Sequence, residues 1–360
     1  MEPELRHYAV NWQGGMKVSY RHFLAFEDYI AQNVQDSNRL QLTSYNYGVL
    51  PPRREGHSSL EWQCELITGD QIKIVVNACR ILTAGGICIE RGEQENSVSG
   101  LGWIDCLYPL KDPSIKILDV VLGIDPETRI PIGEPDPVEE PVRRPFTKAK
   151  VQVLVRPGGS PVSRVSEIKI GEILVDGGKI TKSDPYIPPC TCITSYIPLL
   201  NRYKLFKEYL IKIEEGVVAE VQLLKMKYAQ DQFTHDNLHY LSDCLAGYLS
   251  TNLERYNRIL PESSPLHLVE YFISMARVVD TSLRCMNPET KNSLLSTFMN
   301  VIVGFTLANF QDCLTKMMTL TYDHQRIAES VETVERFLKE MVRLYDALPK
   351  LRDFYLEPPI

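Results

Sequence analysis

The sequence predicts a mixed architecture, β then α: an N-terminal antiparallel β-sandwich followed by an all-helical bundle. Before residue 185, short runs of β-branched and aromatic residues alternate with glycine turns, and little helix lies between them. After Pro188-Pro189, apolar residues recur at spacings of three and four in five successive stretches. The last stretch adds an apolar seam with a period of about 3.5 residues, the pattern by which helices wrap around one another. The expected domains are therefore residues 1–185, a sandwich with an N-terminal arm, and residues 186–360, a helical bundle.

In the first domain, Phe23, Phe26, Ile30 and Val34 stand at helical spacing within 22–38, and Ser19 is placed to cap that helix. Strand-like runs follow at 72–76, 87–89, 115–122, 151–155 and 165–175. Thr68-Gly69-Asp70, Gly85-Gly86, Pro157-Gly158-Gly159 and Asp176-Gly177-Gly178 supply the turns between them. Residues 125–146 carry Pro126, Pro131, Pro135, Pro137, Pro141 and Pro145 among acidic side chains. Proline gives no N–H to a ladder, so this stretch reads as a long surface loop inside the sandwich.

In the second domain the periodicity predicts helices over 199–230, 237–260, 265–286, 289–318 and 323–348. Pro261, Pro265 and Pro288 punctuate them, and proline is best tolerated in a helix's first turn. Leu238, Leu241, Leu245 and Tyr248 form a short seam in the second helix. In the last, Ile327, Val331, Val334, Leu338, Met341, Tyr345 and Leu348 follow at spacings of four, three, four, three, four and three, ending at Pro349. This is the expected oligomerisation seam. The competing reading is an amphipathic helix packed inside one chain.

Length and composition narrow the function. The chain has 360 residues, enough for two cores, with 44% hydrophobic and 24% charged residues, as in an ordinary globular protein. A net charge of −7, with no long Lys/Arg cluster, argues against general nucleic-acid binding, which needs basic stripes to displace counterions. The nine cysteines are scattered, and the closest pair, Cys190 and Cys192, lacks the spacing of zinc or redox motifs. Free thiols in a reducing cytosol follow, and the start, MEPELRHYAV, has no signal-peptide pattern. Residues 292–311 are uncharged, but Ser293, Ser296, Thr297, Asn300, Thr306 and Asn309 make them a buried bundle helix rather than a membrane span.

A search for chemistry is mostly negative. Phosphate-binding, dinucleotide and nucleophile-elbow glycine motifs are absent. His235 and His239 stand four apart, yet Asp236 is not placed as in a zinc-protease helix and further ligands are missing. Asp323-His324 reads as a cap followed by a packed histidine. An enzyme would need a cleft gathering groups such as His57, Glu90 and Asp105. No catalytic residue, cofactor or metal ligand is expected.

Taken in order, several short motifs resemble one family. Val10-Asn11-Trp12-Gln13-Gly14-Gly15-Met16, followed by His22-Phe23, resembles the N-terminal signature of TssK, the trimeric baseplate subunit of type VI secretion systems. Tyr186-Ile187-Pro188-Pro189-Cys190 at the switch to helices, the helix opened by Pro265 and Tyr322-Asp323-His324 fall in the family's order. Gly14 replaces the family's usual Glu, Tyr20-Arg21 replace Pro-Gln, and Ser264 stands where a His is usual. The resemblance implies a β-sandwich shoulder and a helical neck that trimerises. Because 36 residues follow His324, the expectation is that the family's C-terminal head is missing, as in a branch such as that of the Bacteroidetes; a gene continuing past Ile360 into another folded domain would overturn it.

What the resemblance implies for function is a cytoplasmic, non-enzymatic adaptor peripheral to the inner membrane. Its partners would be itself as a homotrimer, the wedge proteins TssF and TssG, and an inner-membrane complex through an unknown contact. Trp12, Met16, His22 and Phe23 are the expected wedge contacts, against the alternative that they fasten the arm to the sandwich. The competing function is a phage-tail or other contractile-injection adaptor on the same scaffold.

Overall fold

The computed structural model describes residues 6–54, 56–67, 71–91, 104–110, 112, 114–163, 165–226 and 232–356. They form two compact units, Met1–Asp184 and Pro185–Ile360. The Thr68-Gly69-Asp70 turn and the side chains of His235, Asp236 and Leu348 lie outside the described residues.

The first unit opens with α1 (Tyr20–Gln41) and continues as β1 (Gly48–Val49), β2 (Leu60–Ile67), β3 (Gln71–Leu82), β4 (Cys88–Arg91) and β5 (Ile104–Pro109). It ends with β6 (Ile117–Ile132), β7 (Phe146–Pro157), β8 (Glu167–Asp176) and β9 (Lys179–Lys182). In one sheet the long β3 is the spine, and β1, β2, β4 and β5 all pair with it antiparallel. The second sheet runs β7-β6-β8-β9, again antiparallel.

Alternation sets the core. Ile72, Ile74 and Val76 are fully buried while their neighbours on β3 are partly covered, the period of two expected of a sheet with one inward face. Trp62 of β2 is buried against the second sheet at a point where only glycine fits. A Cβ built on Gly171 of β8 would lie 2.1 Å from Trp62 Cζ2. Lys182 of β9 covers the same indole, with Nζ 4.3 Å from the ring centroid. The β8–β9 hairpin turns on Gly177 and Gly178, both at positive φ (53° and 81°), which suits a tight two-residue loop.

The proline-rich stretch is more ordered than its composition suggests. After a bulge between Asp125 and Arg129, β6 resumes its pairing, with residues 129–132 opposite 146–149 of β7. Pro131 sits in that ladder opposite Thr147, but β8 pairs with β6 only as far as Gly123, so no strand on that side needs its N–H. Residues 133–145 alone leave the sheet. They are fastened by a bridge between Asp136 and Arg143, by ion pairing of Arg143 with Glu139, and by a 2.8 Å bond from Arg144 to the Gly133 carbonyl.

The second unit contains α2 (Ile197–Met226), α3 (Gln232–Arg258), α4 (Pro265–Cys285), α5 (Pro288–Val301), α6 (Leu307–Met318) and α7 (Ile327–Leu356). Three helices start on side-chain caps: Ser264 accepts from Leu266 N–H, Asn287 from Glu289 and Thr306 from Asn309. Pro265 and Pro288 occupy first-turn positions, where a missing N–H does no harm. Tyr203 and Tyr256 stack at 4.7 Å, and each hydroxyl donates to the other residue's carbonyl, at 2.7 and 2.8 Å.

Several expectations are corrected here. The helix over 289–318 is two helices, broken at 302–306, where Gly304 takes φ +74° and Val303 is 93% exposed. Nor is 292–311 a buried helix: Leu294, Leu295 and Phe298 are buried, whereas Asn292, Ser293, Ser296, Met299 and Asn300 are exposed. Among the described residues no helix is long and apolar enough to cross a membrane. The last helix does not stop at Pro349 but runs on to Leu356, leaving the Tyr345 carbonyl without its helical donor.

The C-terminal seam is also corrected. Ile327, Val331, Val334, Leu338, Met341 and Tyr345 are each at most 2% exposed within the single chain. Their helix packs mainly against α2, and also against α6, α4 and α5. Close approach of α2 and α7 needs Gly216, where a Cβ would lie 2.7 Å from that of Tyr345. These six side chains have no free surface to offer a second chain, so the seam is intrachain packing. Leu238, Leu241 and Leu245 of the shorter seam are buried too. At the start of α7, Asp323 accepts from Gln325 N–H at 2.9 Å, and the buried His324 holds Tyr322 Oη at 2.7 Å from Nδ1.

Candidate docking face of the first unit

Residues 6–19 form an arm that leads into α1. The arm turns at Gln13-Gly14-Gly15-Met16, where Met16 N–H donates to the Gln13 carbonyl at 3.2 Å and Gly15 takes φ +80°. Helix α1 then starts at Ser19. Its N–H donates to His22 Nδ1 at 3.1 Å while His22 N–H returns to the Ser19 carbonyl at 3.0 Å, closing the first turn. This turn brings three of the four expected contact residues together. The Trp12 ring stands edge-on to His22 with centroids 6.1 Å apart, and 6.5 Å from Phe23. Trp12 is 49% and Phe23 57% exposed. Met16 is half-buried on the neighbouring turn.

Helix α1 buries none of its residues, although its sequence is amphipathic. The positions nearest the sheets are His22, Ala25, Asp28, Tyr29, Gln32, Gln35 and Asn38, mostly polar. The apolar stripe Phe23, Phe26, Ile30 and Val34 is exposed. At about 100° per residue the two sets lie on opposite faces. The helix is held by polar hooks. Gln35 donates to the Gly85 carbonyl at 2.9 Å and Asn38 to that of Gly86 at 3.0 Å. Gly86 is at φ +84°, and a Cβ there would lie 2.5 Å from the Gln35 carbonyl oxygen, so the β3–β4 turn must be glycine for α1 to lie so close. Arg129 of β6 reaches both Glu27 and Asp28 at 2.5 Å, and its hydrogen bond to Glu27 is the main cause that raises its pKa.

The helical spacing of 23, 26, 30 and 34 was legible in the sequence, but the direction it faces was not. The available signal was the glutamines and asparagine at 32, 35 and 38, which hydrogen-bond inward: Gln32 accepts from the His7 N–H of the arm, and Gln35 and Asn38 donate to carbonyls of the body. Such an arrangement can bury apolar surface against a partner, and it holds no reactive group. The groups named for an enzyme do not gather. Glu90 is bound by Arg53 at 2.7 Å and Arg80 at 3.4 Å, and His57 and Asp105 are exposed. Glu90 and Asp105 pair with Arg80 and Val75 of β3, five residues apart, or about 17 Å along the strand. His239 pairs with Asp243 at 2.9 Å, and no metal-binding cluster occurs among the described residues.

No family model and no curated protein matches the sequence. In structure, the chain is similar to a crystal structure of TssK, with a TM-score of 0.58 at 12% identity, covering 94% of this chain and 72% of that one. The fold is TssK-like. A chain of the TssK-TssF-TssG baseplate subcomplex of a type VI secretion system aligns over 94% of this chain and 99% of its own, with a TM-score of 0.48 and 12% identity. TssK from the EAEC type VI system, in complex with a nanobody, aligns over 89% and 99% with a TM-score of 0.48 and 14% identity. In the TssK-like fold, the two sheets and α1 make up the part expected as the shoulder, and α2–α7 the part expected as the neck.

Proposed function

We propose that this chain is a structural, non-catalytic subunit of a type VI secretion baseplate, a homotrimer that binds the TssF–TssG wedge and links it to the membrane-anchored part of the machine. The observation that carries this reading is the TssK-like fold along 94% of the chain, β unit first and helical unit second. The exposed Trp12–His22–Phe23 cluster supports it. Large aromatics held in a fixed turn and left open to solvent are what a docking hot spot requires. In this reading the cluster, with Met16 beside it, is the wedge contact, and the protein works on the cytoplasmic side, peripheral to the inner membrane.

The test is co-purification of the tagged full chain with TssF and TssG proteins co-expressed from the same genome. The expected result is a stable complex with wild type and at least a tenfold weaker one with Trp12→Ala or Phe23→Ala, a loss of about 1.4 kcal/mol or more. Failure of the wild-type chain to retain either wedge protein would overturn the assignment. Undiminished binding by both variants would move the contact away from the arm.

A further inference from the structure

Two of the nine free cysteines meet on the surface of the helical unit. Cys244 is half-buried on α3, and Cys285, the last residue of α4, is exposed. The phenol of Tyr240, one turn before Cys244, hydrogen-bonds to both thiols. We propose that Cys244 and Cys285 form a site of reversible oxidation, where a small-molecule disulfide converts the two thiols into one intrachain disulfide. The proposal is independent of the baseplate reading.

The helical hairpin places the pair. Leu260–Glu262 lie in the short connection from α3 to α4, so these helices are antiparallel neighbours. Tyr248 Oη donates to the Tyr271 carbonyl at 2.6 Å, and the Tyr256 ring meets those of Tyr271 and Phe272 at 5.2 and 6.0 Å. Followed back from these rings, α3 reaches Cys244 and Tyr240; followed forward, α4 ends at Cys285. Axes of packed helices lie about 8–10 Å apart and α-carbons about 2.3 Å off each axis, so facing α-carbons approach to about 5 Å. That separation is within the span of a disulfide. The Tyr240 hydroxyl lies against both sulfurs, and its side chain is 43% exposed, so it swings outward without unpacking the core.

Exposure assigns the roles. Cys285, the open thiol, loses its proton to water, and its thiolate attacks one sulfur of the small disulfide. The old S–S bond breaks, a mixed disulfide forms on Cys285, and the first small thiolate leaves. The Cys244 thiolate then attacks the Cys285 sulfur, closing the intrachain bond and expelling the second. Two electrons pass to the small disulfide, and its two halves leave as thiols carrying the two protons. Tyr240 assists as a donor: the charge of Cys244, then that of Cys285, raises its pKa above the ordinary value, so it keeps its proton and donates to the sulfur that is ionised. Cys190 and Cys192 are closer in sequence, but both are buried away from such a reagent. A cytosolic disulfide of this kind is transient and is reversed by the thiol pool.

The experiment treats the native full-length chain with oxidised glutathione, in a Cys88→Ser background that removes the other exposed thiol. Remaining thiols are then blocked and the peptides mapped by mass spectrometry without reduction. The expected product is a monomer-sized chain whose Cys244 and Cys285 peptides are joined, with both thiols recovered on adding dithiothreitol. Cys244→Ser should stop at a glutathione adduct on Cys285, and Cys285→Ser should leave Cys244 at least tenfold slower to react. A parent chain that leaves both thiols free, keeps a stable adduct on Cys285, or joins Cys285 to another chain would overturn the proposal. So would undiminished reaction of Cys244 in the Cys285→Ser chain.

Discussion

Replacing Glu220 by Gln should remove a pH dependence that the helical unit builds into its own core. Glu220 lies on α2 and is only 8% exposed, near the phenol of Tyr345 on α7, which also faces Ser242 of α3. Neither the Tyr345 nor the Ser242 hydroxyl finds a hydrogen-bond partner among the described residues. Burial raises the Glu220 pKa from 4.5 to about 7, and burial also pushes the Tyr345 phenol up, so that it stays neutral.

The sign of the effect follows from proton binding. Below 4.5 the carboxyl is protonated in both folded and unfolded chains, and its stabilising share is complete. Between 4.5 and about 7 the folded chain keeps the proton and the unfolded chain has lost it, so stability falls as pH rises. Above about 7 the contribution is gone. At about 1.36 kcal/mol per pH unit the total is at most about 3 kcal/mol. Urea unfolding from about pH 5 to about pH 8 should show wild type losing most of that amount, while Glu220→Gln stays flatter across the window. Parallel stability curves for the two proteins would refute a buried, neutral Glu220.

Leu338 is fully buried in the α7 seam, so Leu338→Ala should lower stability by about 2–5 kcal/mol in urea melts; an effect below about 0.5 kcal/mol would contradict the intrachain packing. Gly171→Ala would bring a Cβ to 2.1 Å from Trp62 Cζ2, which should cost about 1–3 kcal/mol and shift the tryptophan fluorescence. Arg129→Ala frees α1 from Glu27 and Asp28. Because those carboxylates are partly exposed, global stability should change by less than about 1 kcal/mol, while amide exchange along α1 should quicken; unchanged exchange would show that the ion pairs do not hold the helix.

Much of the fold was legible because local periodicity and burial agree. On β3 alternate residues are buried because one face meets the other sheet, and the Gly177-Gly178 turn could be read because only glycine tolerates two successive positive φ values at little strain. Periodicity could not say which partner an apolar stripe would find. The α7 stripe and the α1 stripe have similar spacing, yet Leu338 is fully buried and Ile30 is 44% exposed. Distant residues make the difference. Gly216 lets α2 come close enough to cover Tyr345, whereas Gln35, Asn38 and Arg129 hold α1 by its polar side.

The break at 302–306 was hidden for a related reason. The apolar spacing of α5 continues in phase into Ile302 and Phe305, and it is the tertiary packing of Phe298, Phe305 and Phe310 that shows that the chain turns between them. The sequence by itself determined the order of the elements, the two-part plan and the composition of each face, because those depend on neighbours along the chain. The tertiary structure decided which faces are closed and which remain open, because burial depends on residues that the chain brings together from far apart.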